Sequence, residues 1–217
     1  MLLQRCIEER MLVVMSLAML LLAGCGGSAT VKSSGTAEQE VGLDGGGPAL
    51  VAPLAALNLF EQAAASMAAG DAVEAELRLK EFLLQYPDFP GAHVNLAIIH
   101  AANGNDAAAE DAIDLALALD PNHRAALNQK GMLLRRNGKF LEAEAAYMKA
   151  VTVSPDYALA HYNLGILNEL YLQRLDNALL SFQTYQSLVG EDKQVARWIT
   201  DLTRRVAANQ RTANVAD

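Results

Sequence analysis

The sequence predicts an all-α protein built as a stack of similar helix pairs. Three residue types recur at one interval of 34 residues. They are a glycine, a proline and an alanine, at Gly70, Gly104 and Gly138, at Pro87, Pro121 and Pro155, and at Ala75, Ala109 and Ala143. A shared period of this length is typical of solenoids, in which each repeat is one supersecondary unit. We therefore expect about four helix pairs and a C-terminal capping helix.

The composition excludes several classes of protein. Of the 217 residues, 52% are hydrophobic and 19% are charged, which is too apolar for a disordered chain. The net charge of −8 argues against a nucleic-acid binder, which usually carries a basic face. Two cysteines and four histidines leave little room for a disulfide framework or a multi-ligand metal site. Composition alone does not identify a partner.

Residues 1–24 are predicted to be a signal peptide. Arg5 and Arg10 precede an apolar run over residues 11–22, which is too short to cross a hydrocarbon core of ~30 Å as a helix. Glu8 and Glu9 cancel the two arginines, so either the start is misread or the signal is unusual. The alternative is a buried helix that ends in Ala-Gly-Cys, but the N-terminal position and the flexible tract that follows favour a signal.

The segment Leu22-Ala23-Gly24-Cys25 resembles the lipobox of bacterial lipoproteins. The resemblance implies that Cys25 becomes the acylated N-terminus, carrying palmitate-type chains. Gly26 is not the aspartate that resembles an inner-membrane retention signal, which implies an outer-membrane protein facing the periplasm. Cys6 is removed with the signal, so the mature chain has no free thiol. Three acyl chains anchor a protein far more firmly than a single chain does.

Residues 25–53 are predicted to form the lipidated cysteine and a flexible tether. This stretch is rich in glycine and serine and includes the triplet at residues 45–47. Ordering such a chain costs backbone entropy that little apolar burial offsets. As a random coil, the tether would have a root-mean-square span of ~30 Å by the scaling for Gly-rich chains, and it would keep the folded part near the membrane without fixing its orientation.

Residues 56–208 resemble the tetratricopeptide repeat (TPR) family, whose 34-residue unit is a pair of antiparallel helices. We divide the chain into repeats at 56–89, 90–123, 124–157 and an extended fourth at 158–191. The stretch Tyr162-Asn163-Leu164-Gly165 is close to the family consensus. The glycine would end the first helix of each pair, helix A, and the proline would follow the second, helix B. The resemblance implies an all-α right-handed TPR superhelix.

The fourth repeat departs from the pattern and is followed by a further helix. It lacks the glycine between its helices and has one inserted residue before Asp176. From residue 193 to 208, an i, i+3, i+4, i+7 apolar spacing predicts an amphipathic helix that caps helix B of repeat 4. We expect residues 209–217 to fray.

The resemblance places a partner-binding groove on the inner face, which the A helices form. Amide side chains there suit an extended ligand, because an amide pairs with both N–H and C=O groups of a backbone; the alternative is that the amides satisfy helix ends or face water. A carboxylate clamp of the type that holds chaperone C-termini is absent. The candidate groove residues are Phe60, Val94, Asn95, Ile98, Asn128, Gln129, Met132, Arg135, Tyr162, Asn163, Ile166 and Glu169.

No sequence motif predicts catalysis, a cofactor or a metal. His93 and His100 have no third ligand at zinc spacing, and no nucleophile elbow or phosphate loop is present. We therefore predict a non-enzymatic scaffold that binds a protein in an envelope assembly such as a pilus, secretion or transport machine, similar in build to pilotin-type lipoproteins. The alternatives are an accessory factor of a cell-wall enzyme and a soluble TPR adaptor with a misread start. Oligomeric state stays open.

Overall fold

The computed structural model describes residues 54–216, so the predicted signal, Cys25 and the tether lie outside the described residues. Over this range the chain forms nine α-helices and no strand. The helices are α1 (Leu54–Ala68), α2 (Ala72–Gln85), α3 (Pro90–Ala102), α4 (Asp106–Leu119), α5 (Arg124–Arg136), α6 (Phe140–Val153), α7 (Ala158–Leu170), α8 (Leu175–Val189) and α9 (Lys193–Ala216).

The nine helices form four pairs and a terminal helix, which confirms the predicted fold class. Within each pair, helix A (α1, α3, α5, α7) packs along the helix B that follows it (α2, α4, α6, α8). Each B helix also contacts the next A helix, and α9 packs against α8. Because α3 contacts α5 and α5 contacts α7, the A helices line one face of the stack.

The turn between helices A and B requires a left-handed backbone conformation. Gly70, Gly104 and Gly138 have φ angles of +79°, +74° and +76°, which glycine adopts without a Cβ clash. In the fourth pair, Gln173 takes this conformation with φ +56°. Gln173 therefore makes this turn in place of a glycine, although the left-handed conformation is unfavourable for a residue with a side chain.

Small residues of helix A meet large residues of helix B where the two helices cross. A Cβ added to Gly131 would lie 2.5 Å from the Tyr147 ring, and one added to Gly165 would lie 2.7 Å from the Phe182 ring. The same register in the first two pairs places Ala63 with Leu79 and Ala97 with Ile113, all buried. A glycine thus accompanies an aromatic ring, and an alanine accompanies an aliphatic side chain.

Two histidines tie the A helices to the preceding loops. Nε2 of His93 lies 3.0 Å from the carbonyl oxygen of Pro87, and Nε2 of His161 lies 2.9 Å from that of Pro155. Because a carbonyl oxygen only accepts, the imidazole N–H donates in both bonds. These histidines hold the loop between repeats.

Helix α9 extends to Ala216, beyond the boundary predicted at residue 208. Residues 209–216 contain no glycine or proline, so nothing local ends the helix there. The placement of the C-terminal boundary at 208 is therefore corrected to Ala216.

The contact between Gly131 and Tyr147 gives a test of the crossing. We expect Gly131→Ala to lower the free energy of unfolding by about 1–3 kcal/mol, because the new methyl group overlaps a ring with no room to move. The double variant Gly131→Ala/Tyr147→Leu, which recreates the alanine–aliphatic pair of the first two repeats, should recover most of that loss. Urea unfolding measures both; equal stability of the single variant and the wild type would contradict the crossing geometry.

Candidate functional site

The predicted groove residues divide into a buried set and a partly exposed set. Val94, Asn128, Tyr162, Asn163, Ile166 and Glu169 are buried. Phe60, Asn95, Ile98, Gln129, Met132 and Arg135 are half-buried. Most of the buried set belongs to α7, because α9 covers that end of the inner face.

Two predicted groove amides bind each other. Nδ2 of Asn163 on α7 donates to Oδ1 of Asn128 on α5 across 3.0 Å, and Nδ2 of Asn128 points to the sulfur of Met132 at 3.7 Å. Both asparagines are buried. The pair joins repeats 3 and 4, and its amide groups are engaged within the chain.

An aromatic cluster fills the inner face near α7. The Tyr162 ring lies 5.2 Å from that of Tyr185 and 6.0 Å from that of Trp198, and Trp198 lies 5.4 Å from Phe182, measured between ring centroids. Separations of this size are favourable for aromatic pairs. Trp198, which the sequence assigned only to the cap, therefore seals the C-terminal end of the groove.

An ion pair closes the same end. Nη1 of Arg205 on α9 lies 3.0 Å from Oε1 of Glu169 and 3.5 Å from a carboxylate oxygen of Asp201. Glu169 is buried, and the Arg205 guanidinium of α9 compensates its charge. Glu169 thus fixes the cap against α7.

Phe60 also has a packing role. Its ring lies 5.6 Å from that of Phe82 and 5.5 Å from that of Phe89, between centroids. These three rings hold α1 onto α2 and the loop that follows. The N-terminal limit of the open groove therefore lies at α3.

The accessible part of the inner face lies between α3 and α5. Asn95 and Ile98 of α3 and Gln129, Met132 and Arg135 of α5 retain part of their surface. The Arg135 guanidinium lies 5.9 Å from the centroid of the Tyr171 ring, a cation–π contact. This surface combines apolar side chains, two amides and one cation, and it suits the binding of a peptide backbone with apolar side chains.

The shifted pKa values lie outside this surface. Burial raises the pKa of the Tyr147 hydroxyl to about 12, although the nearby Arg135 guanidinium acts in the opposite direction. A hydrogen bond from Lys80 lowers the pKa of Glu76 on α2, and one from Ser154 lowers that of Asp156 in the loop before α7. These shifts belong to packing and surface pairs, and none points to a general acid or base.

The described residues offer no metal centre or membrane span. Within residues 54–216, no group of three or more His, Cys, Asp or Glu side chains could hold a metal ion. No helix in the same range is both long and apolar enough to cross a bilayer. Two acidic side chains on α4 are in ion pairs with α5: Asp106 with Arg136, and Asp114 with Lys130.

The hydrogen bonds and ion pairs between repeats were not predicted from the sequence. Arg136 also donates to the carbonyl oxygen of Ala101 across 2.7 Å, and Nη1 of Arg174 lies 2.6 Å from Glu144. The Arg136–Asp106 and Arg174–Glu144 pairs share an offset of 30 residues. That common offset is the signal in the sequence that could have revealed them.

The asparagine pair gives a prediction about stability. We expect Asn163→Ala to lower the free energy of unfolding by about 1–3 kcal/mol, since it leaves buried Asn128 without its donor. The control Asn95→Ala removes a half-buried amide with no side-chain hydrogen bond to residues 54–216, and it should cost less than about 0.5 kcal/mol. Guanidinium unfolding compares the two; equal costs would mean that the Asn163–Asn128 bond adds nothing.

Comparisons with known proteins agree with this architecture. A tetratricopeptide repeat model matches residues 66–130, and a TPR repeat model matches residues 131–170. The structure of PilF from Pseudomonas aeruginosa superposes with a TM-score of 0.64 at 22% identity, over 71% of this chain and 70% of that one. At this identity the likeness concerns the fold.

Two further comparisons cover shorter stretches. The first TPR of Spaghetti (RPAP3), bound to the HSP90 peptide SRMEEVD, superposes with a TM-score of 0.51 at 18% identity, over 54% of this chain and 95% of that one. A human protein, the protein O-mannosyl-transferase TMTC2, is 44% identical over 57 residues, which is 26% of this chain and 7% of the human protein.

The matched segment thus spans a small fraction of the human protein's length. The two family models together run without a break from residue 66 to residue 170, and the helix pairs have the expected size and packing. TPR proteins are generally non-catalytic scaffolds that bind protein partners. The chain belongs to the tetratricopeptide repeat family.

Proposed function

We propose that this protein is a lipid-anchored scaffold that faces the periplasm and binds a protein partner in an envelope assembly, such as a pilus, secretion or transport machine. The observation that carries the proposal is the accessible inner face between α3 and α5. Its amide and apolar side chains are the kinds of group that bind the backbone and the side chains of an extended peptide. The TPR bound to an HSP90 peptide supports the use of this fold for peptides.

The proposed function is non-enzymatic. The accessible inner face carries no carboxylate pair, and the buried Glu169 is in an ion pair with Arg205. TMTC2 resembles this chain over only 57 residues, and that short stretch supports no transfer of its activity. Partner binding is therefore the function that the surface chemistry supports best.

The anchor rests on the sequence around Cys25. The apolar run at residues 11–22, the small residues before the cysteine and the Gly/Ser-rich tract after it fit a lipoprotein signal. A tether of this composition leaves the repeats free to reorient near the membrane. Outer-membrane placement follows from Gly26 and is part of the same proposal.

An isosteric charge substitution tests the groove. In Asn95→Asp/Gln129→Glu, both amide donors become carboxylates that repel the carbonyl groups of a bound peptide, so we expect partner capture to fall at least ~10-fold. The control Gln85→Glu/Asn177→Asp makes the same changes on exposed positions of the B helices and should capture normally. Crosslinked pull-down from the native envelope, read by mass spectrometry, measures the yield. Normal capture by the groove variant would place the partner elsewhere.

Substitution at the two cysteines tests the anchor. We expect Cys25→Ala to move the protein from the membrane to the soluble fraction, because the acylated thiol is lost. Cys6→Ala changes a residue within the predicted signal and should leave the protein in the membrane. Envelope fractionation and immunoblotting report both. If Cys25→Ala remains in the membrane to the same extent as Cys6→Ala, the lipoprotein assignment is wrong.

A further inference from the structure

Arg135 is a cation of the inner face that has no carboxylate partner. Its side chain is half-buried in the last turn of α5, and it forms no ion pair within residues 54–216. Arg136, Arg174 and Arg205, by contrast, each bind a carboxylate from a different helix. Carboxylates are plentiful, because the whole chain has a net charge of −8. Arg135 is therefore an exception to the pairing that joins these helices.

A stack of two aromatic rings positions the Arg135 side chain. The guanidinium carbon lies 5.9 Å from the centroid of the Tyr171 ring, which in turn lies 4.7 Å from that of Phe140. Tyr171 is 42% exposed, so the stack is open to solvent on one side. Partial burial costs a guanidinium some of its hydration, and the cation–π contact offsets only part of that cost. Arg135 is thus held in place while its N–H donors remain available to a ligand.

The Tyr147 hydroxyl adds another donor beside the guanidinium. Burial raises the pKa of this hydroxyl, and the nearby Arg135 guanidinium acts in the opposite direction. The hydroxyl makes no well-formed hydrogen bond with a residue of the described part of the chain. A guanidinium cannot accept a hydrogen bond, so Arg135 provides no acceptor for the hydroxyl proton. This position therefore gathers donors and lacks an acceptor.

Arg135 continues the accessible surface along α5. Gln129, Met132 and Arg135 are spaced by three residues, so their Cα atoms rise by ~4.5 Å from each to the next. In an extended peptide, side chains that face the same way are two residues apart, at a distance of ~6.6 Å. When such a peptide runs along α5 with an apolar side chain against Ile98 and Met132, the side chain two positions away lies within reach of Arg135.

We propose that Arg135 selects a carboxylate in the bound partner segment, two residues from an apolar side chain that lies against Ile98 and Met132. The inference rests on the proposed function, because it names the chemistry of the segment that the same surface binds. A guanidinium binds a carboxylate through two parallel N–H bonds, which recognise its geometry as well as its charge. The carboxylate belongs either to an acidic side chain or to the C-terminus of the segment. The site differs from a carboxylate clamp, because it uses one arginine that an aromatic ring holds.

Selection from random peptides tests the preference for a carboxylate. The full chain, purified in a non-ionic detergent, is panned against random linear peptides displayed in two formats, one with a blocked and one with a free peptide C-terminus. We expect Asp and Glu to be enriched at least ~3-fold over the starting library, two residues from a large apolar residue. Acidic enrichment in the blocked format identifies a side-chain carboxylate. Selection in the free format alone identifies the terminal carboxylate.

Two arginine variants assign the preference to Arg135. Arg135→Gln removes the charge, so the acidic preference should disappear while the apolar preference remains. Arg197→Gln removes one positive charge from an exposed position of α9, and this matched control should keep the acidic preference. A synthetic peptide of the most enriched sequence should bind the parent ~10-fold more tightly than its amide counterpart, and this difference should vanish in Arg135→Gln. Fluorescence anisotropy measures the affinities.

Tyr171 is a positioning residue for Arg135. Tyr171→Ala removes the ring beside the guanidinium and should reduce the preference for the acidic peptide over its amide counterpart by ~3-fold. The affinity for the amide peptide should not change. Tyr171→Phe retains an aromatic ring and should restore the preference. Equal losses of affinity for both peptides would contradict the role assigned to Tyr171.

The possible failures have different meanings. Peptides that are lost in Asn95→Asp/Gln129→Glu but show no acidic preference would overturn this inference and leave the proposed function standing. If no peptide is selected reproducibly, both the inference and the binding of peptides by this surface are wrong. An acidic preference that Arg135→Gln retains would overturn the role of Arg135. If that variant is also less stable, Arg135 only stabilises the C-terminus of α5.

Discussion

The stack depends on the close approach of helices A and B at one crossing in each repeat. Where helix B carries a ring, at Tyr147 and Phe182, helix A has glycine, and a single added methyl group would overlap the ring. Where helix B carries Leu79 or Ile113, helix A has alanine. The combined volume at the crossing is thus held nearly constant, which keeps the distance between the helices and lets each pair stack on the next.

Once the pairs are alike, polar bonds that recur with the repeat can join them. The Asn163–Asn128 bond, the two histidine–proline bonds and the Arg174–Glu144 pair all link one repeat to its neighbour. Individually, the exposed ion pairs contribute little to stability. The buried asparagine pair contributes more to specificity, because a shift in register would leave two amides unsatisfied. The same bond also withdraws those amides from the groove, so the inner face is more open near α3 and α5 than near α7.

The period of 34 residues was sufficient to predict the helix pairs and their turns, because it is set by local residues such as Gly70 and Gly104. The terminal helix was predicted from its own apolar spacing. Which of the groove residues are accessible to a ligand could not be predicted in the same way. The packing of α5 on α7 decides whether the Asn128 side chain contacts Asn163 or is available to a ligand. The burial of Tyr162 depends on Trp198, which is 36 residues later in the chain. The end of α9 was misplaced because residues 209–216 contain no residue that stops a helix. Local signals were thus reliable, and contacts between repeats required the structure.

The two ends of a repeat stack need a special structure, because each internal helix pair is covered on both sides by its neighbours, whereas a terminal pair is covered on one side only. Helix α9 covers the C-terminal end on one side only. Trp198 and Arg205 contact the inner face, whereas no helix among residues 54–216 covers the side toward Thr200 and Thr203. At the other end, α1 packs on α2 through the rings of Phe60 and Phe82. Within the described residues the two ends are therefore finished in different ways, one by an additional helix and the other by the first helix pair itself.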